Sequence, residues 1–167
     1  MSTTDEAFPE ARFPRSRALS TILWIGLVAG TLDITDNLIF NLLRNITPKM
    51  VFHYIASGLI GMASYRLGAA SVILGIFLHY FIALSWTAIF YAASRKLSIL
   101  GRRPVISGLI YGCIVYLFMN LVVVPLSRVP HAPSAMTVAS RVNGVLAVLI
   151  FIGLTISLLT RRSAGPV

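Results

Sequence analysis

Acidic side chains are scarce in this chain. There are five in 167 residues, and three of them, Asp5, Glu6 and Glu10, fall among the first ten. Charge of either sign is scarce as well, at 11% of residues against about 25% in soluble domains. With 57% of residues hydrophobic, a soluble fold of this length has too little polar surface to cover its apolar groups. A water-soluble globular domain is therefore excluded, and lipid is the natural solvent. A single cysteine, Cys113, excludes an intrachain disulfide. It lies in an apolar run and reads as a buried, inert thiol.

What the chain does have is basic charge, 14 Lys and Arg for a net +9. These residues fall between apolar runs and form no basic stripe on a soluble module. That placement suits anionic lipid headgroups and topology control, and excludes nucleic acid as the partner.

Four runs are long enough to span a bilayer, residues 19–43, 69–93, 104–124 and 138–160. Each supplies the roughly 20 residues that a ~30 Å hydrocarbon core requires. Pro104 opens the third, where its missing N–H costs nothing, and Pro125 closes it. Residues 1–17 read as a disordered cytoplasmic tail and 163–167 as a second, short one. The first span reads as an uncleaved signal-anchor, because it is long and holds two Asp. Residues 18–162 then make a single membrane domain.

A shorter apolar stretch follows the first span. Thr47 and Pro48 offer it an N-cap and a first-turn proline, which predicts a helix over 48–64. Lys49, His53 and Ser57 recur every four residues and form one polar stripe, as an interfacial or re-entrant helix would carry. Charge argues against counting it as a fifth span. With four spans, nine of the 14 basic residues lie on one side and five on the other, and the 95–103 loop alone holds four of the nine. The positive-inside rule makes that side cytoplasmic, with both termini there. The expected fold is all-α: a four-helix transmembrane bundle with an additional short amphipathic or re-entrant helix on the outer side.

Each span also carries a small-xxx-small pair: Gly26/Gly30, Ser71/Gly75, Gly108/Gly112 and Ser140/Gly144. Such pairs let helix backbones approach in lipid. Whether they act within one chain or between chains is open at this level, so a homo-oligomer or a larger membrane complex is a candidate partner beside the lipid bilayer itself.

The remaining two acids, Asp33 and Asp36, sit inside the first span. A carboxylate at membrane depth costs several kcal/mol unless something compensates it, which makes it a functional-site candidate by default. At about 1.5 Å per residue, Asp33 and His79 both lie about 21 Å from the cytoplasmic ends of their spans. Asp36, Asn120 and Asn143 come out at roughly 24 to 26 Å by the same rise. Asp33, Asp36 and Asn37 share one helix face. Arg141, near the outer mouth of the fourth span, is a candidate counter-ion, with Arg66 and Arg128 as alternatives. The candidate polar site is thus Asp33, Asp36, Asn37, His79, Asn120, Asn143 and Arg141. The competing reading is that the shallower groups snorkel to headgroups and that Asn120 serves a structural interhelical hydrogen bond.

Several chemistries fit such a cluster. Burial and a neighbouring charge both alter how a carboxyl holds its proton, and imidazole titrates near neutral pH. Proton or cation handling follows, as in ion-linked transport. Metal binding by Asp33, Asp36 and His79 is an alternative, without any strong ligand spacing to support it. His53 has a simpler place on the polar stripe. Ser57 and Ser127 have His53, His79 and His131 within reach in sequence, yet no G-x-S-x-G surrounds either serine. An intramembrane histidine pair, which haem or quinone would want, is missing, and no cofactor is expected. Asn45-Ile46-Thr47 is a glycosylation sequon of the kind that arises by chance.

Four stretches together carry a resemblance: Gly30-Thr31-Leu32-Asp33, residues 55–61 (IASGLIG), the Leu74-Gly75 to Leu78-His79 segment, and Val124-Pro125-Leu126-Ser127. The set resembles a group of small, uncharacterised bacterial inner-membrane proteins with about four spans. The resemblance covers residues 20 to 130 and implies a bacterial cytoplasmic membrane and the four-span plan. It implies no activity. The function expected from the residues is an integral membrane protein with an outward-facing polar site, in proton- or ion-linked transport or as a subunit of a larger complex. A metal-dependent enzyme on outer-leaflet lipid headgroups and a structural or assembly factor are the alternatives.

Overall fold

A computed structural model describes residues 15–130 and 137–163. Among these, every regular element is helical. Helix α1 is Arg15–Leu42, α2 is Pro48–Ile60, α3 is Ala69–Lys96, and α4 is the short Ser98–Arg102. Helix α5 is Pro104–Leu126 and α6 is Val138–Ser163. Four of these, α1, α3, α5 and α6, are long and apolar enough to cross a membrane. The chain is thus a multi-pass membrane protein built as an all-α bundle, with α2 as the extra short helix. The tails expected at the two ends fall at residues 1–14 and 164–167, outside the described residues. Arg15 to Arg17, read from sequence as tail, already belong to α1, since nothing between Arg15 and Leu19 breaks a helix.

The ends of the four long helices sort by charge. Arg95 and Lys96 close α3, Arg102 closes α4, and Arg161 and Arg162 close α6. Helix α4 joins α3 to α5 at this basic end, where Ser157 Oγ donates to the Pro104 carbonyl at 2.7 Å. At the opposite end the turn after α1 uses Asn45 with φ 62°. Asparagine enters that left-handed region more readily than most residues. The sequon asparagine thus has a backbone role.

The outside of the bundle is apolar, with Leu23, Ile73, Phe77, Ile110 and Leu121 all exposed. That surface suits hydrocarbon contact. Cys113 belongs to this exposed face, not to the interior as expected. Helix α5 is apolar all round, so its sequence periodicity does not say which side faces inward.

The apolar core lies toward the basic end. Ile25, Ala29, Phe90, Val115, Ile152 and Ile156 form one buried cluster drawn from all four long helices. Tyr111 packs edge-on against Phe90 and Trp86 and donates its hydroxyl to the Trp86 carbonyl at 2.6 Å. This bond ties α3 to α5. Tyr111→Phe is expected to lower stability by about 1 kcal/mol, the net worth of one hydrogen bond, as read in an unfolding titration in detergent.

Three of the four small-residue pairs are used within the chain. A Cβ on Gly26 would meet Leu84 and Thr87 of α3, and one on Gly30 would meet Ala83 and Tyr80. The Cβ of a residue replacing Gly75 would run into the Phe52 carbonyl of α2. Gly108 and Gly112 lie against α6 backbone, where a Cβ on Gly112 would stand 2.7 Å from Leu149 Cα. Their counterpart on α6 is Gly153, which with Ser157 forms a second small-xxx-small pair on that span. Gly144, by contrast, has only the Tyr116 ring near it, at 3.7 Å.

Helices α5 and α6 each contain a π-helical turn, Met119–Val123 and Val148–Leu154. The first lies just before Pro125. A proline has no N–H to give and its ring clashes with the carbonyl four residues back, so the ladder cannot run through unchanged. Pro125 therefore does not end the helix where expected, and one more residue, Leu126, follows in helical form.

Candidate functional site

The close approach of α1 to α3 at Gly26 and Gly30 sets the geometry of the intramembrane polar groups. Because Gly30 has no side chain, its carbonyl is accessible from α3, and His79 Nε2 lies 2.8 Å from it. A carbonyl only accepts, so Nε2 carries the hydrogen and donates. The neutral imidazole then keeps its lone pair on Nδ1. One turn along α1 from Gly30 lies Asp33, half-buried and within electrostatic range of both His79 and Asp36. The Thr31 and Tyr80 hydroxyls, 3.0 Å apart, hold the two helices in register beside this pair.

Asp33 and His79 share the wall of one cavity of about 240 Å³. Helices α3 and α5 meet through Trp86, Phe90 and Tyr111, and the cavity lies between Ile82 and Trp86 on α3 and Met119 and Val123 on α5. Val148 and Ile152 of α6 complete the side wall. Tyr54, Ile55 and Gly58 of α2 border it, with Ser127 and Val129 from the segment after α5. Partial burial, with the Tyr65 phenol nearby, pushes the Tyr54 hydroxyl above its ordinary range, so this border stays neutral at physiological pH. Both π-helical turns contribute to the wall, through Met119 and Val123 and through Val148 and Ile152. Such turns are frequent at functional sites.

The cavity lining is almost entirely apolar. No Lys or Arg lines it. Among the described residues, Asp33 has no hydrogen bond and no ion pair; its interactions are electrostatic, with His79 and Asp36.

The other candidate residues go elsewhere. Asp36 Oδ2 accepts a 3.0 Å hydrogen bond from Asn143 Nδ2, joining α1 to α6. Asn37 Oδ1 accepts from Asn41 on its own helix, and Asn120 donates to the Tyr116 carbonyl on its own helix. Arg141 is exposed and makes no ion pair among the described residues. The seven candidates therefore divide into a cavity pair, Asp33 and His79, a separate structural pair, Asp36 and Asn143, and three residues on the periphery. Asn143→Ala leaves a half-buried carboxylate without its donor. A stability loss of about 1–3 kcal/mol is expected, measurable by thermal unfolding in nanodiscs.

Two of the three residues of the α2 polar stripe point inward, while Lys49 is exposed. His53 and Ser57 are 4% and 0% exposed, and His53 Nδ1 bonds Ser71 Oγ of α3 at 3.1 Å. The spacing of the stripe was legible, but its direction was not, because a short helix between two spans can turn its polar face to water or to protein. Thr47 takes the extended N-cap backbone, but its side chain makes no capping bond. Among the described residues the serine hydrogen-bonded to an imidazole is Ser71, on His53, and both side chains are buried. Ser57 Oγ donates to the Tyr54 carbonyl and Ser127 Oγ to the Val124 carbonyl, while His131 lies outside the described residues. Nor do three His, Cys, Asp or Glu side chains converge as a metal site among the described residues.

No family model, curated protein or solved structure matches this chain.

Proposed function

We propose that this membrane protein handles protons or cations at the Asp33–His79 pair, as part of proton- or ion-linked transport. The observation that carries the reading is a carboxyl without a hydrogen-bond partner among the described residues, on the wall of an intramembrane cavity and beside an imidazole with one ring nitrogen committed to a carbonyl. Ionisable groups in spans mark ion and proton pathways because nothing else repays their desolvation. A carboxyl and an imidazole in electrostatic range exchange protons with their surroundings as a linked pair.

Helices α2 and α5 border the cavity at the end away from the basic cluster. With that cluster cytoplasmic by the positive-inside rule, the site opens toward the outer face of a bacterial cytoplasmic membrane, and both termini lie inside. Four spans are few for a transporter, so the working unit is an oligomer or a larger complex. The reading is tested in proteoliposomes with an entrapped pH dye. An imposed pH step should decay faster than in protein-free vesicles. Equal decay in both would remove the proton-handling role.

A further inference from the structure

We propose that the cavity between α3 and α5 binds a small aryl ammonium ion, its charged end on Asp33 and its ring among the apolar side chains below. The inference rests on the cation-handling reading and names the cation.

Three observations select this ligand chemistry. The first is charge. Asp33 is the acid on the wall, the lining holds no Lys or Arg, and the Asp33 carboxyl has no hydrogen bond among the described residues. An ammonium group supplies both the donors and the opposite charge, and charge-assisted hydrogen bonds are the strong ones. The second is the state of His79. Its Nε2–H is used by the Gly30 carbonyl, so the neutral ring has no free donor for an anion. Every titratable group that borders the space is then accounted for: Asp33 on α1, Tyr54 on α2 and His79 on α3, with none on α5 or α6. Asp36 acts on Asp33 from α1 but is held by Asn143. The third is size and lining. An apolar cavity of about 150 Å³ accepts benzene. The 240 Å³ here admits one ring and a short ammonium arm, against Ile82, Met119, Val123 and Ile152. Methionine sulfur packs favourably on aromatic rings, and Met119 belongs to the π-helical turn of α5.

The chain has two tryptophans, and they divide the test usefully. Trp86 lines the cavity, while Trp24 is exposed on the outside of α1. Trp24→Phe therefore leaves one reporter beside the site. This protein in nanodiscs is titrated with 2-phenylethylammonium, ethylbenzene and 3-phenylpropionate, following Trp86 emission. The ammonium should bind about tenfold or more tightly than either of the others. Asp33→Asn should erase that preference and leave ethylbenzene binding unchanged. Val123→Phe, which fills the cavity, should weaken the ammonium and ethylbenzene alike, and does not depend on the Asp33 variant folding. Binding of ethylbenzene or 3-phenylpropionate as tight as the ammonium overturns the proposal. So does a preference that survives Asp33→Asn, or binding indifferent to Val123→Phe. Selective ammonium binding without proton flux would remove the transport reading and leave this site standing. Proton flux without the preference would do the reverse.

Discussion

Asp33→Asn is expected to reduce pH-driven proton flux in proteoliposomes to the level of protein-free vesicles, with the protein still folded. Asparagine keeps the shape and hydrogen-bonding capacity of the side chain but can neither hold a negative charge nor carry the proton. Asp33 has no hydrogen bond among the described residues for the substitution to break, so the fold should tolerate it. Removing an unpaired charge from the protein interior is, if anything, stabilising. The neighbouring acid provides the control. Asp36 is bonded to Asn143 and does not line the cavity. Asp36→Asn should therefore keep most of the flux while weakening the α1–α6 contact. His79→Gln keeps a donor for the Gly30 carbonyl but loses the imidazole Nδ1, and should slow the flux without unfolding. Equal loss of flux in both aspartate variants would mean that the charge of the whole α1 face matters, and not the cavity pair.

The second large effect is on stability, at the crossing of α5 and α6. Gly153→Leu is expected to prevent assembly of the bundle. A side chain at 153 runs into Gly108 and Gly112 backbone, which cannot move aside as a flexible side chain would. Even Gly153→Ala should cost about 1–3 kcal/mol, the range for overpacking a tight interior. Gly144→Ala is the comparison, nine residues nearer the start of α6. Its Cβ would meet only the Tyr116 ring at 3.7 Å, an ordinary van der Waals contact, and the substitution should be neutral within about 0.5 kcal/mol. Both are read by thermal unfolding in the same detergent. Equal tolerance at 153 and 144 would contradict the close crossing.

The four long helices were legible because hydrocarbon imposes a length and a polarity that few other environments do. Residues 69–93 and 138–160 match the starts of α3 and α6, and their ends run on by three residues into basic side chains. Those residues are polar enough to leave an apolar window, yet remain good helix formers. The matched depth of Asp33 and His79 was also legible, since a constant rise per residue converts sequence position into height. Their azimuth was not. It depends on the Gly26/Gly30 contact with α3, and the small-residue pair says only that some helix comes close. The same limit explains Asn120 and Arg141, which have the right height but face away from the cavity. The division of Asp33 from Asp36 was hidden for a related reason. Residues at i and i+3 share a face, but a 60° offset is enough to give one to the cavity and the other to α6. The π-helical turns left no mark except Pro125 after the first, and α6 offers two small-residue pairs, Ser140/Gly144 and Gly153/Ser157, which spacing alone does not rank.

The most direct test of the Asp33–His79 pairing is an NMR measurement of histidine ring-nitrogen shifts in ¹⁵N-labelled protein in nanodiscs, with and without Asp33→Asn. The His79 signals should show hydrogen on Nε2 and none on Nδ1, and the Asp33 substitution should shift them while those of buried His53 stay where they were. His79 signals that ignore the loss of Asp33 would contradict the shared site and leave the cavity with two unrelated polar groups.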